Sequence, residues 1–160
     1  MAKEMAAKLA LRLMTSTEFD QFVSKAIKDY AVDKVQAGSW LADEAMKKSE
    51  ESFNSLLPQD INSPDNYLYS IIFQKEKIGI LWMAKLKDQP DTIFIYDFAI
   101  DDAFQNQGFG SKALVLADEE ARKLSFKHIA LHVFGRNARA LHVYQKSGYG
   151  ITDINMQKDL

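Results

Sequence analysis

The sequence predicts a single α+β domain, and three observations support this fold class. Two helix-patterned segments follow one short strand-patterned segment near the start of the chain. Three strand-patterned segments then come in succession with only short connections, which indicates an antiparallel meander. In the second half helix and strand alternate, and a glycine-rich loop precedes the first of these helices. Together the segments predict the order β-α-α-β-β-β-α-β-α-β.

The first strand and two helices are predicted from the N-terminal third of the chain. Residues 8–14 alternate polar and apolar side chains as a half-buried strand does. Thr15 and Glu18 form a capping-box pattern before FDQFVSKAIKDYAVDKV, where apolar residues recur at helical spacing. Ser39 is expected to cap a second helix, WLADEAMKKSEESFNSLL, which should end before Pro58. The segment PQDINSPDN that follows is expected to be a loop.

The later elements follow from similar patterns. YLYSIIF, KIGILWMAKL and TIFIYDFAI are the three strands of the meander. Leu114, Ala117, Ala121 and Leu124 fall on one face of an amphipathic helix. HIALHVF then predicts a strand, NARALHVYQKS a short helix, and YGITDINMQK a last strand pair or an extended tail.

Composition excludes several classes of function. A chain of 160 residues suits one domain, and its apolar content of 47% and charged content of 26% are ordinary for a soluble protein. The net charge of −2 gives no reason to expect nucleic acid or an anionic membrane as partner. With no cysteine the chain has neither disulfides nor thiolate chemistry, and three scattered histidines make a metal site improbable. No apolar run has the length of a membrane span, so the expected location is the cytoplasm.

The stretch QNQGFGSKAL, residues 105–114, places Gly108 and Gly110 between a strand and a helix. GFGSKA matches a dinucleotide-binding pattern, but the next strand ends in HVFG and offers no acidic residue for a ribose. The spacing of a P-loop is also absent. Tight packing without a ligand is one remaining interpretation of the two glycines. The other is an anion site on backbone amides at a helix N-terminus, and there the expected anion is a pyrophosphate.

A second stretch, LHVFGRNARALHVYQKSGYG at residues 131–150, indicates which ligand carries that pyrophosphate. Together with Gln105, Gly108 and Gly110 it resembles the GNAT superfamily of acetyl-coenzyme A dependent N-acetyltransferases. The matching motif positions are Leu131, Val133, Asn137, Ala140, Leu141, Tyr144, Gly148 and Tyr149. The resemblance covers residues 93–150 and implies a mixed, mostly antiparallel central sheet with helices on both faces. It also implies that residues 1–65 form the acceptor side of one domain spanning residues 1–160.

The resemblance assigns coenzyme-binding roles to named positions. The glycine loop would cradle the pyrophosphate, and a diverging strand would pair with the pantetheine arm. On the last helix Asn137 and Tyr144 share a face about 10 Å apart along the axis. In catalysis, the Ile100 amide would meet the oxyanion and Tyr144 would protonate the leaving thiolate. The implied coenzyme-binding residues are Phe98, Ala99, Ile100, Gln105, Asn106, Gln107, Gly108, Phe109, Gly110, Ser111, Asn137, Ala140 and Tyr144.

The general base is the open point of this interpretation. Some family members carry a Glu eleven residues before the motif Gln, and that position here is Phe94. Others carry a Glu twelve residues before the catalytic Tyr, and the matching position here is His132. A histidine is largely neutral at pH 7 and can accept a proton, although His132 also suits a purely structural role in a strand. Asp97, Tyr96 and a chain of water molecules are the alternatives.

The implied function is acetyl transfer from acetyl-coenzyme A to a primary amine by direct attack in a ternary complex. The acceptor is a small molecule or a protein N-terminus, and the sequence does not choose between them. No metal, nucleic acid or membrane is implied, and a homodimer cannot be derived from the sequence. The alternative function is a module that senses acetyl-coenzyme A or scaffolds a partner without turnover, since the acid at position 94 is missing.

Overall fold

The computed structural model describes residues 8–160, which form a five-stranded sheet with four helices around it. The strands lie side by side in chain order: β1 (Leu9–Leu13), β2 (Asn66–Phe73), β3 (Glu76–Lys85), β4 (Thr92–Ile100) and β5 (His128–Leu131). The first three pairings are antiparallel, and β4 pairs with β5 in parallel. The mixed, mostly antiparallel sheet is therefore confirmed.

The helices cover both faces of the sheet. They are α1 (Ser16–Gln36), α2 (Ala45–Leu56), α3 (Phe109–Lys123) and α4 (Ala138–Lys146), and short 3₁₀ turns lie at Asp60–Asn62 and Asp102–Phe104. Successive residues of β3 show how the faces divide: Trp82 packs with α1, while Leu81 and Met83 belong to the cluster that contains α3. Because side chains alternate along a strand, the central strands are buried on both sides and read as nearly continuous apolar runs.

The entry into α1 is held by the predicted capping box. The Thr15 hydroxyl accepts a hydrogen bond from the Glu18 amide at 3.2 Å, and the Glu18 carboxylate accepts one from the Thr15 amide at 2.9 Å. Arg12 at the end of β1 donates to both carboxylate oxygens of Glu18 at 2.9 Å. This bidentate pair, more than the backbone bonds, lowers the pKa of Glu18 to about 2.

The start of the second helix was predicted wrongly. Ser39 does not cap α2, which begins at Ala45 after a stretch of turns. The Glu44 carboxylate accepts the Leu41 amide at 3.3 Å and pairs with Lys48, so local polar bonds hold these residues in turns. The other end of the helix agrees with the prediction, because α2 stops at Leu56, ahead of Pro58.

Two predicted strands near the C-terminus differ from the structure. HIALHVF was expected to be extended throughout, but β5 ends at Leu131 because β4 pairs with it only as far as Ile95. The order of elements matches the prediction from the first strand to the last helix. The final strand is not formed within the chain: residues 149–160 carry no secondary structure, as in the extended-tail alternative.

Candidate active site

A cleft of about 470 Å³ opens between the end of β4, the glycine loop and the two helices α3 and α4. It brings together all but one of the thirteen residues expected to bind the coenzyme. The exception is Gln107, whose side chain donates back to the Ala103 carbonyl at 3.2 Å. Three further residues line the cleft: Phe104, Arg139 and Val143.

One wall of the cleft is a strand edge without a partner. Beyond Ile95, no strand of the described residues pairs with β4 on the side that β5 occupies earlier. The Asp101 amide donates to the Ile78 carbonyl of β3 at 2.7 Å. Because amides alternate in direction along a strand, the Ile100 amide points away from β3, toward the cleft. The edge can therefore offer backbone groups to an extended ligand.

A bulge marks the point where β4 leaves β5. Trp82 of β3 lies opposite Asp97, but the next residue, Met83, lies opposite Ile95, so Tyr96 is the extra residue. The insertion places Tyr96 and Asp97 next to each other on the side of α1, where the Tyr96 ring stacks on Trp82 at 4.9 Å. Bulges of this kind re-aim side chains beside active sites.

The glycine loop presents bare backbone at the start of α3. Gly108 is left-handed, with φ of 81°, and precedes the helix without any side-chain cap. The amides of the first helical turn consequently have no side-chain acceptor. Gln105 holds the loop to β4 through a 2.9 Å hydrogen bond to the Ile100 carbonyl. On the other side Arg139 of α4 donates to the Asn106 side chain.

Gly110 has no structural reason of its own to be glycine. Its φ is not left-handed, and a Cβ built on it meets no atom within 4 Å. Gly79 in β3 is the contrasting case, because a Cβ there would collide with the carbonyl oxygen of Ala99. Glycine within a helix is unfavourable, and at position 110 it leaves the backbone open to the cleft, which Gly110 lines.

Helix α4 places both polar motif residues at the cleft. The Asn137 side chain caps the helix by accepting the Ala140 amide at 3.2 Å, a role that the sequence analysis did not assign. Tyr144 packs against the core and contacts Tyr149 edge to face at 5.7 Å. Burial raises the pKa of Tyr144, and the charge of Asp97 raises it further. The phenol is therefore protonated at neutral pH.

Asp97 is close enough to Tyr144 and to Lys25 of helix α1 to interact electrostatically with both. Burial raises the pKa of its carboxyl, while a hydrogen bond from the Phe98 amide and the nearby Lys25 oppose that shift. Asp97 does not line the cleft, but its charge acts on Tyr144, which does, and a carboxyl with a raised pKa in such a place is typical of acid–base sites. Phe94, where some relatives carry an acid, instead contacts Tyr96 edge to face at 4.9 Å.

His132, which the sequence analysis proposed as the general base, lies outside the cleft. His132 is exposed past the end of β5, with its ring against Phe134 at 5.0 Å, and it does not line the cleft. His128 and His142 are also exposed. Among residues 8–160, no three His, Asp or Glu side chains are grouped as metal ligands would be. In the same range, no helix has the length and apolar content to cross a membrane.

Helices α1 and α2 belong to the region that the sequence analysis expected to form the acceptor side, and neither helix contributes a residue to the lining of the cleft. Aromatic contacts join the two helices: Tyr30 meets Trp40 at 5.4 Å and Phe53 at 6.0 Å. The buried Ser49 hydroxyl donates to the Ile27 carbonyl at 2.7 Å. Tyr30 of α1 thus packs against both the connecting turn, through Trp40, and α2, through Phe53.

Comparisons with known proteins identify the family of this chain. The Acetyltransferase (GNAT) family matches residues 26–149. The uncharacterized N-acetyltransferase YdgE of Bacillus subtilis is 36% identical over 92% of this chain and 95% of its own. The crystal structure of YycN from Bacillus subtilis superposes with a TM-score of 0.86 at 33% identity, covering 96% of this chain and 99% of that one.

A Bacillus subtilis acetyltransferase crystallised with CoA shares the fold at 20% identity, with a TM-score of 0.62 over 92% of this chain and 78% of its own. The family match spans most of the chain, and both YdgE and YycN are similar over nearly their whole length. The chain therefore belongs to the GNAT family and is an acetyl-coenzyme A dependent N-acetyltransferase.

Proposed function

We propose that the cleft between β4, α3 and α4 holds acetyl-coenzyme A, and that the protein transfers the acetyl group directly to a primary amine. One observation carries this proposal. The free edge of β4, the uncapped first turn of α3 and the Tyr144 phenol all face one cleft of about 470 Å³. These are the groups needed for an amide-rich arm, a pyrophosphate and a thiolate.

The coenzyme-binding roles follow from the donors on each wall. Amides at the start of α3 suit the pyrophosphate, because a helix N-terminus attracts anions and Gly110 leaves room for close approach. Residues 98–100 suit the pantetheine amides, since an open strand edge pairs with extended chains. Arg139 lies close enough to supply a positive charge to the phosphates. A Bacillus subtilis acetyltransferase of the same fold was crystallised with CoA, so the fold is able to bind the coenzyme.

The transfer itself makes one bond and breaks one. The neutral amine forms a C–N bond with the acetyl carbon, and the C–S bond to coenzyme A breaks. The Ile100 amide would stabilise the oxyanion formed between these events. Tyr144, protonated at neutral pH, would donate to the leaving sulfur, and the proton lost by the amine passes to a base or to water.

For that base we propose Asp97 ahead of His132. Asp97 lies close enough to Tyr144 to raise the pKa of its phenol, and its own raised pKa moves it toward the neutral range in which a base works best. Neither Asp97 nor His132 lines the cleft, but the charge of Asp97 acts on Tyr144, whereas His132 is exposed with its ring against Phe134. Tyr96 is less suited, because its ring is stacked on Trp82.

The amine would enter from the side of α1. Lys25 and Asp29 of α1 are both close enough to Asp97 to influence its pKa. Glu44, an acidic residue that precedes α2, is paired with Lys48. Acceptors that carry a primary amine next to a hydrogen-bonding group fit this entrance, and they include both small molecules and protein N-termini.

The test is release of free coenzyme A thiol across a panel of amines, with the acetylated product identified by mass spectrometry. The enzyme should release thiol only when a suitable amine is present, and Tyr144→Phe should slow that release. The alternative of a sensor or scaffold predicts tight acetyl-coenzyme A binding with no amine-dependent thiol from any member of the panel.

A further inference from the structure

Gly79 lies in the interior of the sheet, where glycine is normally unfavourable. It is buried in β3, opposite Ile71 of β2 and Ile100 of β4. Its φ is not left-handed, so the backbone at this point does not itself require glycine. A glycine inside a strand loses side-chain packing and often marks a place where another backbone approaches closely. The reason for glycine at this position therefore lies in its neighbours.

A side chain at position 79 would collide with the backbone of β4. A Cβ there would meet the Ala99 carbonyl oxygen well inside the 3.0 Å below which such contacts are essentially never found, and it would lie 3.2 Å from the Ile100 Cα. It would also lie 3.2 Å from Cδ1 of Ile71, but that methyl group ends a side chain and moves more easily than backbone. The contact with Ala99 is therefore the one that forces a movement of the main chain.

The Ala99 carbonyl and the Ile100 amide belong to one planar peptide unit. In a trans peptide such as this one they point in opposite directions, so the carbonyl faces β3 while the amide faces the cleft, which both residues line. The neighbouring bonds agree with these directions. The Asp101 amide donates to the Ile78 carbonyl of β3 at 2.7 Å, and the Ile100 carbonyl accepts from Gln105 of the glycine loop at 2.9 Å. A carbonyl pushed away from β3 would therefore carry the amide into the cleft.

The part of β3 that contains Gly79 is also irregular. Against β2, Ile71 lies opposite Gly79 but Ile72 lies opposite Lys77, so Ile78 is an extra residue in β3. A bulge of this kind bends its strand. The carbonyl of the extra residue accepts the 2.7 Å hydrogen bond that ties the end of β4 to β3. The bulge and the glycine are thus adjacent, at the point where β3 supports the end of β4.

We propose that Gly79 is a positioning residue for acetyl transfer. The absence of a side chain lets the peptide between Ala99 and Ile100 lie close to β3, and this sets how far the Ile100 amide reaches into the cleft. The inference rests on the proposed role of that amide as the donor to the oxyanion. Such a donor must lie about 2.7–3.1 Å from the oxygen that becomes charged. Gly79 does not line the cleft, so its effect on the reaction passes through the backbone of β4.

Gly79→Ala tests the proposal, with Ile71→Ala as the matched control. Each changes one member of a buried pair and is expected to lower stability, but only the first adds an atom beside Ala99. The kcat of Gly79→Ala, measured by thiol release at saturating substrates, should fall about 10- to 100-fold, because misplacing a catalytic group by about 1 Å can cost about 100-fold. The kcat of Ile71→Ala should be unchanged. An unchanged kcat in Gly79→Ala, or an equal loss in both variants, would overturn the proposal.

Crystal structures of Gly79→Ala and the unmodified protein give a second measurement, which does not depend on turnover. The peptide between Ala99 and Ile100 should be displaced toward the cleft in the variant. A peptide that stays in place would reject the positioning role whatever the activity. A displaced peptide in a protein that releases thiol with no amine of the panel would instead reject acetyl transfer, on which the proposal rests.

The double variant Gly79→Ala/Ile71→Val separates the two kinds of contact that the new methyl group makes. Valine lacks the Cδ1 of Ile71 but leaves the collision with Ala99, so thermal stability should partly recover while kcat should not. Recovery of kcat would assign the loss to side-chain packing and reject the proposal. If Ile71→Ala folds but neither Gly79→Ala nor the double variant does, glycine is required by the fold as a whole, and the positioning role is likewise rejected.

Discussion

Replacing Gly110 by alanine should strengthen the fold and weaken coenzyme binding at the same time. The position lies in the first turn of α3, has no left-handed φ and leaves a Cβ free of contacts within 4 Å. Alanine at such a site is expected to stabilise the protein by about 0.4–1 kcal/mol, chiefly through the entropy of the unfolded chain. For a chain of this length that corresponds to a rise in Tm of about 1–4 °C.

The same methyl group would lie where the pyrophosphate must approach the amides. Losing one hydrogen bond to a charged phosphate oxygen costs about 1.5–3 kcal/mol, which weakens affinity about 10- to 100-fold. Calorimetry with acetyl-coenzyme A measures the affinity, and thermal unfolding without ligand measures the stability. Gly110→Ala should therefore raise the thermal stability and lower the affinity for acetyl-coenzyme A, and few other surface changes are expected to have both effects.

Gly150→Ala is the matched control. Position 150 also leaves a Cβ without contacts and has no left-handed φ, but it lies outside the cleft. Its acetyl-coenzyme A affinity should equal that of the unmodified protein. If Gly110→Ala binds the coenzyme as tightly as the unmodified protein does, the glycine loop does not hold the pyrophosphate and the assignment of the cleft is wrong.

Three further outcomes are expected. Tyr144→Phe should lower kcat by about 100-fold or more with nearly unchanged acetyl-coenzyme A affinity, measured by thiol release; equal turnover would remove Tyr144 from the mechanism. Asp97→Asn should abolish the acidic limb of kcat/KM and, because burial raises the pKa of Asp97, should be more stable than the unmodified protein at neutral pH, with the difference vanishing at acidic pH. If His132→Gln rather than Asp97→Asn removes that limb, the histidine is the base. Glu18→Gln should cost about 1 kcal/mol in chemical denaturation at pH 7, and because the pKa of Glu18 is lowered to about 2 from 4.5, that difference should shrink as the pH falls through this range; a constant difference would reject the pairing with Arg12.

Much of the fold was predictable because local signals and burial agree along most of the chain. The Thr15 capping box, the alternation in β1 and the apolar runs of β2 to β4 are each visible without tertiary information. The prediction that Ser39 caps the second helix was wrong, because a serine before an apolar run has the same sequence pattern as a true N-cap. The side-chain bonds of Glu44 to Leu41 and Lys48, which favour turns there, depend on geometry that sequence spacing does not report.

The residues that line the cleft were predictable from the two motifs. The structural contacts that some of these side chains also make were not. The motif position of Asn137 did not reveal that its side chain caps α4. His132 was chosen by counting along a strand assumed to reach residue 134. In the structure β5 ends at Leu131, and β4 has a register shift at Tyr96 just beyond the last residue that it pairs with β5. A bulge depends on the pairing of two strands, so one strand's sequence does not disclose it.

Amide hydrogen exchange with and without acetyl-coenzyme A tests the central claim most directly, because it locates the ligand residue by residue on the unmodified protein. The uncapped amides at the start of α3 and the free edge of β4 should exchange rapidly in the free protein. Saturating acetyl-coenzyme A should slow exchange at residues 98–100 and 108–111 and leave α1 nearly unchanged. Bound coenzyme with unaltered exchange in both segments would contradict the placement of the donor in this cleft.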